Sequence, residues 1–262
     1  MEEKKYRYFI EMGWKGTEFH GWQVQPNAYT IQEEMEKKLS TLLQQDIAVI
    51  GAGRTDTGVH ASYFVAHFDS IEPLVEPEKL VFKLNNFIHP DIVILSLSAV
   101  EPNSHARFDA ISRTYQYHII QNKDPFFRDY AWHHYPPLKV KNMNAGAKLL
   151  LKHKDFTSFS RLHSDTKTNF CAIKYAKWEK QNNRLTFTIT ADRFLRNMVR
   201  AIVGTLVEIG QKKIAPEDIE NILAKKDRAA AGASAPAKGL FLTDIQYEPT
   251  IFKQQNAEFI LI

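Results

Sequence analysis

The feature that most constrains this chain is a set of neighbouring strands with no helix between them. Ile47 to Gly53 and Ser62 to Asp69 both read as strands, and the loop joining them is too short for a crossover helix. Cys171 to Lys180 and Arg184 to Thr190 read as a hairpin turned through Gln181-Asn182-Asn183. Parallel strands need long crossovers, so this order fits an α+β fold with two mainly antiparallel β-sheets flanked by helices better than a doubly wound parallel sheet.

The remaining pattern fills in around those strands. Residues 5 to 13 alternate as a strand, and Thr30-Ile31-Gln32-Glu33 has capping-box spacing that opens a helix to about Leu43. A helix near Pro77 to Phe87, a strand at Asp91 to Ser98 and a strongly alternating strand at Ser112 to Gln121 complete the first half. In the second half, Met143 to Lys152 and Arg193 to Gly210 read as helices, a shorter helix begins at Pro216, and Leu240 to Tyr247 is a late strand. Pro136-Pro137 is the best boundary, dividing the chain into 1–135 and 136–262.

At 262 residues and 44% hydrophobic content the chain can bury a large core. No stretch approaches the roughly 18 uninterrupted apolar residues of a spanning helix, and no apolar leader block follows the first residues, so a soluble cytoplasmic protein without membrane partners is expected. The single cysteine, Cys171, sits among Phe170, Ala172 and Ile173 and reads as a buried structural thiol. Residues 1 to 131 hold 13 Lys+Arg against 18 Asp+Glu, a balance of −5, whereas 132 to 262 hold 21 against 12, a balance of +9. A cationic half suits a polyanionic partner, although lysine-rich surfaces also serve solubility.

Gly51 to Ala61, GAGRTDTGVHA, is the most informative segment. Its glycines suggest a dinucleotide fingerprint, but Asp56 stands where the third glycine belongs, and a strand follows instead of a helix. The alternative is a tight loop in which Gly51, Gly53 and Gly58 admit a ligand backbone while Arg54, Asp56 and His60 present polar groups; a plain structural hairpin loop would use similar residues. His133-His134 lack a further Cys or His at ligand spacing, so no metal is assigned.

GRTDTGVHA resembles the signature of the tRNA pseudouridine synthase A family, and other segments in the same order extend the resemblance. They are Phe19-His20-Gly21-Trp22-Gln23-Val24-Gln25, Thr30-Ile31-Gln32, His105-Ala106-Arg107-Phe108-Asp109-Ala110 with Arg113-Thr114-Tyr115-Gln116-Tyr117, Asp155-Phe156-Thr157-Ser158-Phe159, Phe194-Leu195-Arg196-Asn197-Met198-Val199-Arg200, and Ala235-Pro236-Ala237 with Gly239-Leu240. The likeness runs from about Tyr6 to Tyr247. It implies a pseudouridine synthase fold with a central active-site cleft. It also implies a cofactor-free homodimer that converts uridine to pseudouridine at tRNA positions 38, 39 and 40, in the anticodon stem-loop.

Residue by residue, the resemblance makes Asp56 the essential carboxylate. A carboxylate is already ionised at neutral pH, so it needs placement more than activation. Arg196 is expected by resemblance to pair with Asp56, on a helix from Arg193 whose apolar residues leave Arg196 and Arg200 on one face. Tyr115 is expected against the extruded uracil, Tyr117 as packing, Leu240 as an apolar wall of the base pocket, and Arg54 as an aid to base flipping. His60 orients the loop or is simply structural. Lys148, Lys152, Lys154, Arg193, Arg200, Lys212 and Lys213 are candidates for phosphate contacts. An Asp56/His60 hydrolase would need a second acid or a metal cluster, and a noncatalytic RNA-binding protein would have no use for an ionised carboxylate facing a polyanion.

Overall fold

A computed structural model describes residues 5–161 and 168–252. Its described strands are β1 (Tyr6–Trp14), β2 (Val49–Gly51), β3 (His60–Ser70), β4 (Ile92–Ala99), β5 (Ser112–Ile120), β6 (Trp132–His133), β7 (Ile173–Gln181), β8 (Arg184–Ala191) and β9 (Leu240–Gln246). The described α-helices are α1 (Ile31–Leu43), α2 (Pro77–Asn85), α3 (Val140–Leu150), α4 (Met198–Gly210) and α5 (Asp218–Lys225). The N-cap half of the expected capping box is present: Thr30 Oγ1 accepts from the Glu33 amide at 3.3 Å and starts α1. The apolar tail Phe259-Ile260-Leu261-Ile262, read as an edge strand or dimer contact, lies outside the described residues.

The α+β class and its antiparallel halves are present, but the halves are fused. One nine-stranded sheet runs in the order β4-β1-β3-β9-β5-β8-β7, with β2 paired to β3 and β6 to β5. The seam is a short parallel contact between β3 and β9, His60 opposite Phe241 and Ala61 opposite Leu242. β9 comes late in the chain and inserts between β3 and β5, both from 1–135, so the seam falls within the first sequence half and two expected sheets become one.

Two hydrophobic cores meet at this seam. One holds Phe9, Met12, Trp14, Phe64 and Phe68 with α1 residues Ile31, Met35 and Leu39; the other holds Phe156, Trp178, Phe187 and the apolar residues of α4. Tyr115 packs against both. Burying each large apolar side chain contributes about 1.5–3 kcal/mol, so the cores fix the sheet on which the polar loops stand.

Helix α4 is the most enclosed of the described helices: among its residues only Arg200 and Glu208 are not buried. Gly204 lets the 233–235 segment lie directly on it, since a Cβ there would fall 1.7 Å from the Ala233 carbonyl oxygen. The expected helix start at Arg193 is corrected to Met198. Asn197 adopts a left-handed conformation (φ 63°) just ahead of the helix, which breaks the helical path between Arg196 and Arg200.

Candidate active site

The aspartate loop runs from Ala52 to Val59 between β2 and β3, and backbone contacts fix it along its length. The Ala52 amide donates to the Val65 carbonyl at 2.9 Å, the Trp22 amide to the Thr55 carbonyl at 3.4 Å, and the Gly58 amide to the Phe19 carbonyl at 3.3 Å. The Phe19-to-Gln25 segment and the loop therefore form one unit. Gly21 (φ +85°) is required at their contact, because a Cβ there would lie 2.3 Å from the Thr55 carbonyl oxygen. Gly53, by contrast, has open space where a Cβ would stand.

Asp56 sits on this loop, partly exposed, and its Oδ2 accepts from Arg200 Nη1 at 3.1 Å. Arg200 is itself aimed by a second bond, Nε donating to the Ala235 carbonyl at 2.8 Å. The first half thus supplies the carboxylate and the second half the cation. Asp56 Oδ1 makes no hydrogen bond among the described residues. One oxygen is anchored and the other is not.

This arrangement corrects the expected Arg196–Asp56 pair. Arg196 precedes α4, is exposed, and its carbonyl accepts from the Arg161 amide. Arg200, expected at phosphate, is the residue that meets Asp56. A sequence signal for this existed: Arg200 is a charged break near the start of an otherwise apolar run.

Tyr115 is half-buried on β5, its ring edge-on to Phe194 at 5.2 Å. Burial, and to a lesser degree the Asp56 charge, push its phenol up to about 12 against the opposing pull of Arg113. At neutral pH it is a protonated donor. Tyr117 is fully buried and donates to the Pro236 carbonyl at 2.8 Å, as packing requires. Leu240 is buried in the second core, at the start of β9 and opposite Tyr117.

His60 closes the far end of the loop. Its Nδ1 accepts from the Gly16 amide at 2.9 Å, which leaves Nε2 to donate to the Asp129 carbonyl (3.0 Å) and the Lys238 carbonyl (3.2 Å). Burial holds its pKa below the ordinary histidine value, so this neutral form is favoured. His60 is a clamp between the halves. Arg54 is exposed and makes no hydrogen bond or ion pair among the described residues.

Arg113 carries no functional expectation from sequence, yet it organises the site's floor. Its guanidinium donates to the carbonyls of Ala52, Arg107, Ala110 and Asp192. These belong to the start of the aspartate loop, the 107–110 turn and the segment leading to Arg193. The only hint was a charged residue on the same strand face as Tyr115 and Tyr117. Of the other cations, Lys148, Lys152, Lys154, Lys212 and Lys213 are exposed and Arg193 is half-buried. Cys171 is buried and its thiol is pushed up to about 12, chiefly by burial, which suits a structural role.

The model of the tRNA pseudouridine synthase family matches residues 14–109 and 147–248. The chain belongs to that family. Among its relatives, the tRNA pseudouridine synthase A of Bacteroides thetaiotaomicron is 48% identical over 258 residues, covering 97% of this chain and 96% of the relative. That of Bacteroides fragilis is 49% identical over 248 residues (94% and 98%), and that of Thermoanaerobacter sp. strain X514 is 39% identical over 240 (91% and 98%). The ranges matching the tRNA pseudouridine synthase family contain Arg54, Asp56, His60, Arg200 and Leu240. Tyr115 falls in the stretch between them, so its place rests on geometry. Among the described residues no helix is long and apolar enough to cross a membrane.

Proposed function

We propose that the protein isomerises uridine to pseudouridine in tRNA, with Asp56 as the catalytic carboxylate and no cofactor. The observation that carries this reading is the half-anchored carboxylate: Arg200 holds Oδ2 and leaves Oδ1 open on a loop fixed at both ends. The bond from ribose C1′ to N1 breaks, the uracil turns, and C1′ rejoins at C5. C5 loses a proton and N1 takes one, so atoms balance without redox input. Asp56 Oδ1 adds to substrate carbon or stabilises the cationic sugar. The neutral phenol of Tyr115 packs on the uracil and can hand on the proton leaving C5. Leu240 forms an apolar wall of the same pocket.

The target uridine leaves its stack at a cost of a few kcal/mol, and exposed Arg54 occupies the vacated space or the adjoining phosphate. Residues 1–135 carry the aspartate loop and 136–262 complete the site with Arg200. Lys148, Lys152, Lys154, Arg193, Arg196, Lys212 and Lys213 follow the RNA backbone, reading shape more than sequence. Lys212 follows the C-terminal end of α4, whose last residue Gly210 is about 15 Å along the helix from Arg200, which suits a long phosphate track. The anticodon stem-loop, positions 38, 39 and 40, is the expected target, and a cytoplasmic homodimer the expected form.

Mapping pseudouridines in unmodified tRNA transcripts treated with the protein, in chelator, tests this reading. New pseudouridines confined to positions 38 to 40 are expected. Transcripts that are bound but unmodified would favour a noncatalytic RNA-binding protein and overturn the assignment.

A further inference from the structure

The turn from His105 to Ala110 holds a phenylalanine out into solvent. Phe108 is 73% exposed, among the largest exposures of any described aromatic side chain. Its ring rests on the His105 imidazole, centroids 4.3 Å apart, and the Arg107 guanidinium lies 5.6 Å from its centroid. An exposed aromatic ring on a loose loop would need no explanation. This turn is tightly held.

The Ala106 amide donates to His67 Nδ1 at 3.1 Å, and Tyr247 Oη donates to the Ala106 carbonyl at 2.6 Å. Arg113 takes the carbonyls on either side of Phe108, those of Arg107 and Ala110. His105 Nδ1 accepts from the Arg107 amide at 3.1 Å. The backbone is fastened from beneath while the side chain stays largely exposed. The Arg107 guanidinium lies over the ring, a cation where a polyanion would approach.

The same mount reaches the aspartate loop. Arg113 Nη2 donates to both Ala52 (3.1 Å) and Arg107 (2.5 Å), so those two carbonyl oxygens lie within about 6 Å of each other. Ala52 is four residues from Asp56, a reach of at most about 14 Å. Tyr115 is two residues beyond Arg113 on β5, about 7 Å along the strand. Stacked nucleotides advance roughly 3.4 Å per step. The Arg107 carbonyl therefore lies within about 20 Å of Asp56, at most about six stacked nucleotides.

We propose that Phe108, with the Arg107 guanidinium over one side of its ring, is a stacking platform for a nucleobase of the tRNA substrate near the target uridine. The proposal rests on the synthase reading and adds a subsite to it. Any base can use the face, because stacking needs a π-surface and not a particular hydrogen-bonding edge. Arg107 takes the adjoining phosphate. When the target uridine leaves its stack, the platform receives a neighbouring base that would otherwise lose a stacking partner.

The test is a set of full-length variants assayed on an unmodified tRNA transcript whose isomerisation by wild type is measured first. Phe108→Ala is expected to weaken binding about 5- to 150-fold, from the alanine-substitution range for base–aromatic stacking. Its melting temperature and the slope of log Kd against log salt stay at wild-type values, because an exposed ring is lost and no charge. Phe108→Trp restores binding. Arg107→Ala lowers the salt slope by about 0.7–0.9, the share of one phosphate contact. Wild-type affinity and turnover in Phe108→Ala would overturn the platform while leaving the synthase reading intact, as would a change in molecular mass with RNA affinity unaltered, which would make the ring a contact between copies of this chain. Absence of isomerisation by wild type would instead be a failure of the synthase reading.

Discussion

Two irregular segments meet at the Asp56–Arg200 pair, and they are held by different means. The aspartate loop is fixed through its own backbone, by bonds at Ala52, Thr55 and Gly58, and by the His60 clamp. The Arg193–Asn197 segment is fixed partly through side chains, beside backbone bonds at the Leu195 and Arg196 carbonyls: Asn197 Nδ2 reaches Ser234 Oγ, Phe194 leans on Tyr115, and the Leu195 amide meets Met198 Sδ. A backbone-anchored loop fixes one carboxylate position. A segment anchored partly by side chains mainly sets where the next element begins, and here it turns Arg196 outward before α4 brings Arg200 in. The carboxylate's placement therefore tolerates little change in the first segment, and the second tolerates change at Arg196.

The largest effect is expected where the two segments join. Arg200→Ala removes the anchor on Asp56 Oδ2 and should lower kcat about 10²-fold, the scale of misplacing a reacting group by an ångström. Arg200→Lys keeps the charge and should recover part of it. Steady-state pseudouridine formation reads both, and wild-type kcat in Arg200→Ala would break the account of how the carboxylate is held.

Acid should strain the first segment through its histidine clamp. Burial lowers the pKa of His60, and it pushes His67 and His118 down to about 4. Each is neutral when folded and takes a proton when unfolded. The stabilisation is thus complete above the unfolded value near 6.5 and is lost as pH falls toward the folded values. By pH 5 the loss for His67 and for His118 is roughly 2 kcal/mol each. Urea midpoints from pH 7 to 5 should fall accordingly, and a flat profile would contradict the burial of His67 and His118 in their neutral form.

Gly21→Ala puts a Cβ against the Thr55 carbonyl at a left-handed backbone position. A cost of about 1–3 kcal/mol is expected, seen as a lower melting temperature together with lower kcat. Arg196→Ala should be the mildest change. Stability should move by no more than about 0.5 kcal/mol, with a few-fold weaker tRNA binding at low salt. A loss as large as that of Arg200→Ala would show that the two arginines share the pairing role.

Legibility in the sequence followed the same divide. The Asp56 loop was readable because glycines and a following strand exclude a nucleotide-binding helix, and Thr30 with Glu33 marked α1 correctly. The Arg193–Asn197 segment read as helix because its apolar spacing suits one, and nothing in an asparagine announces a left-handed residue before Met198. That single residue moved the pairing role from Arg196 to Arg200. The fusion of the halves was hidden too, since β9 pairs with β3 across a separation of some 180 residues in two residue pairs only. Arg113 escaped because its four partners are backbone carbonyls, which no side-chain pattern reveals.

Tritium release from C5-labelled uridine in unmodified tRNA, compared between wild type and Asp56→Asn, tests whether the Asp56 carboxylate does the chemistry. The amide keeps the side chain's shape and can still bind RNA, but it has no charge to meet substrate carbon. Release by wild type, at least about 10⁴-fold slower release by the variant, and unchanged tRNA affinity are the predicted result. Comparable release by Asp56→Asn would contradict the assignment of the chemistry to that carboxylate.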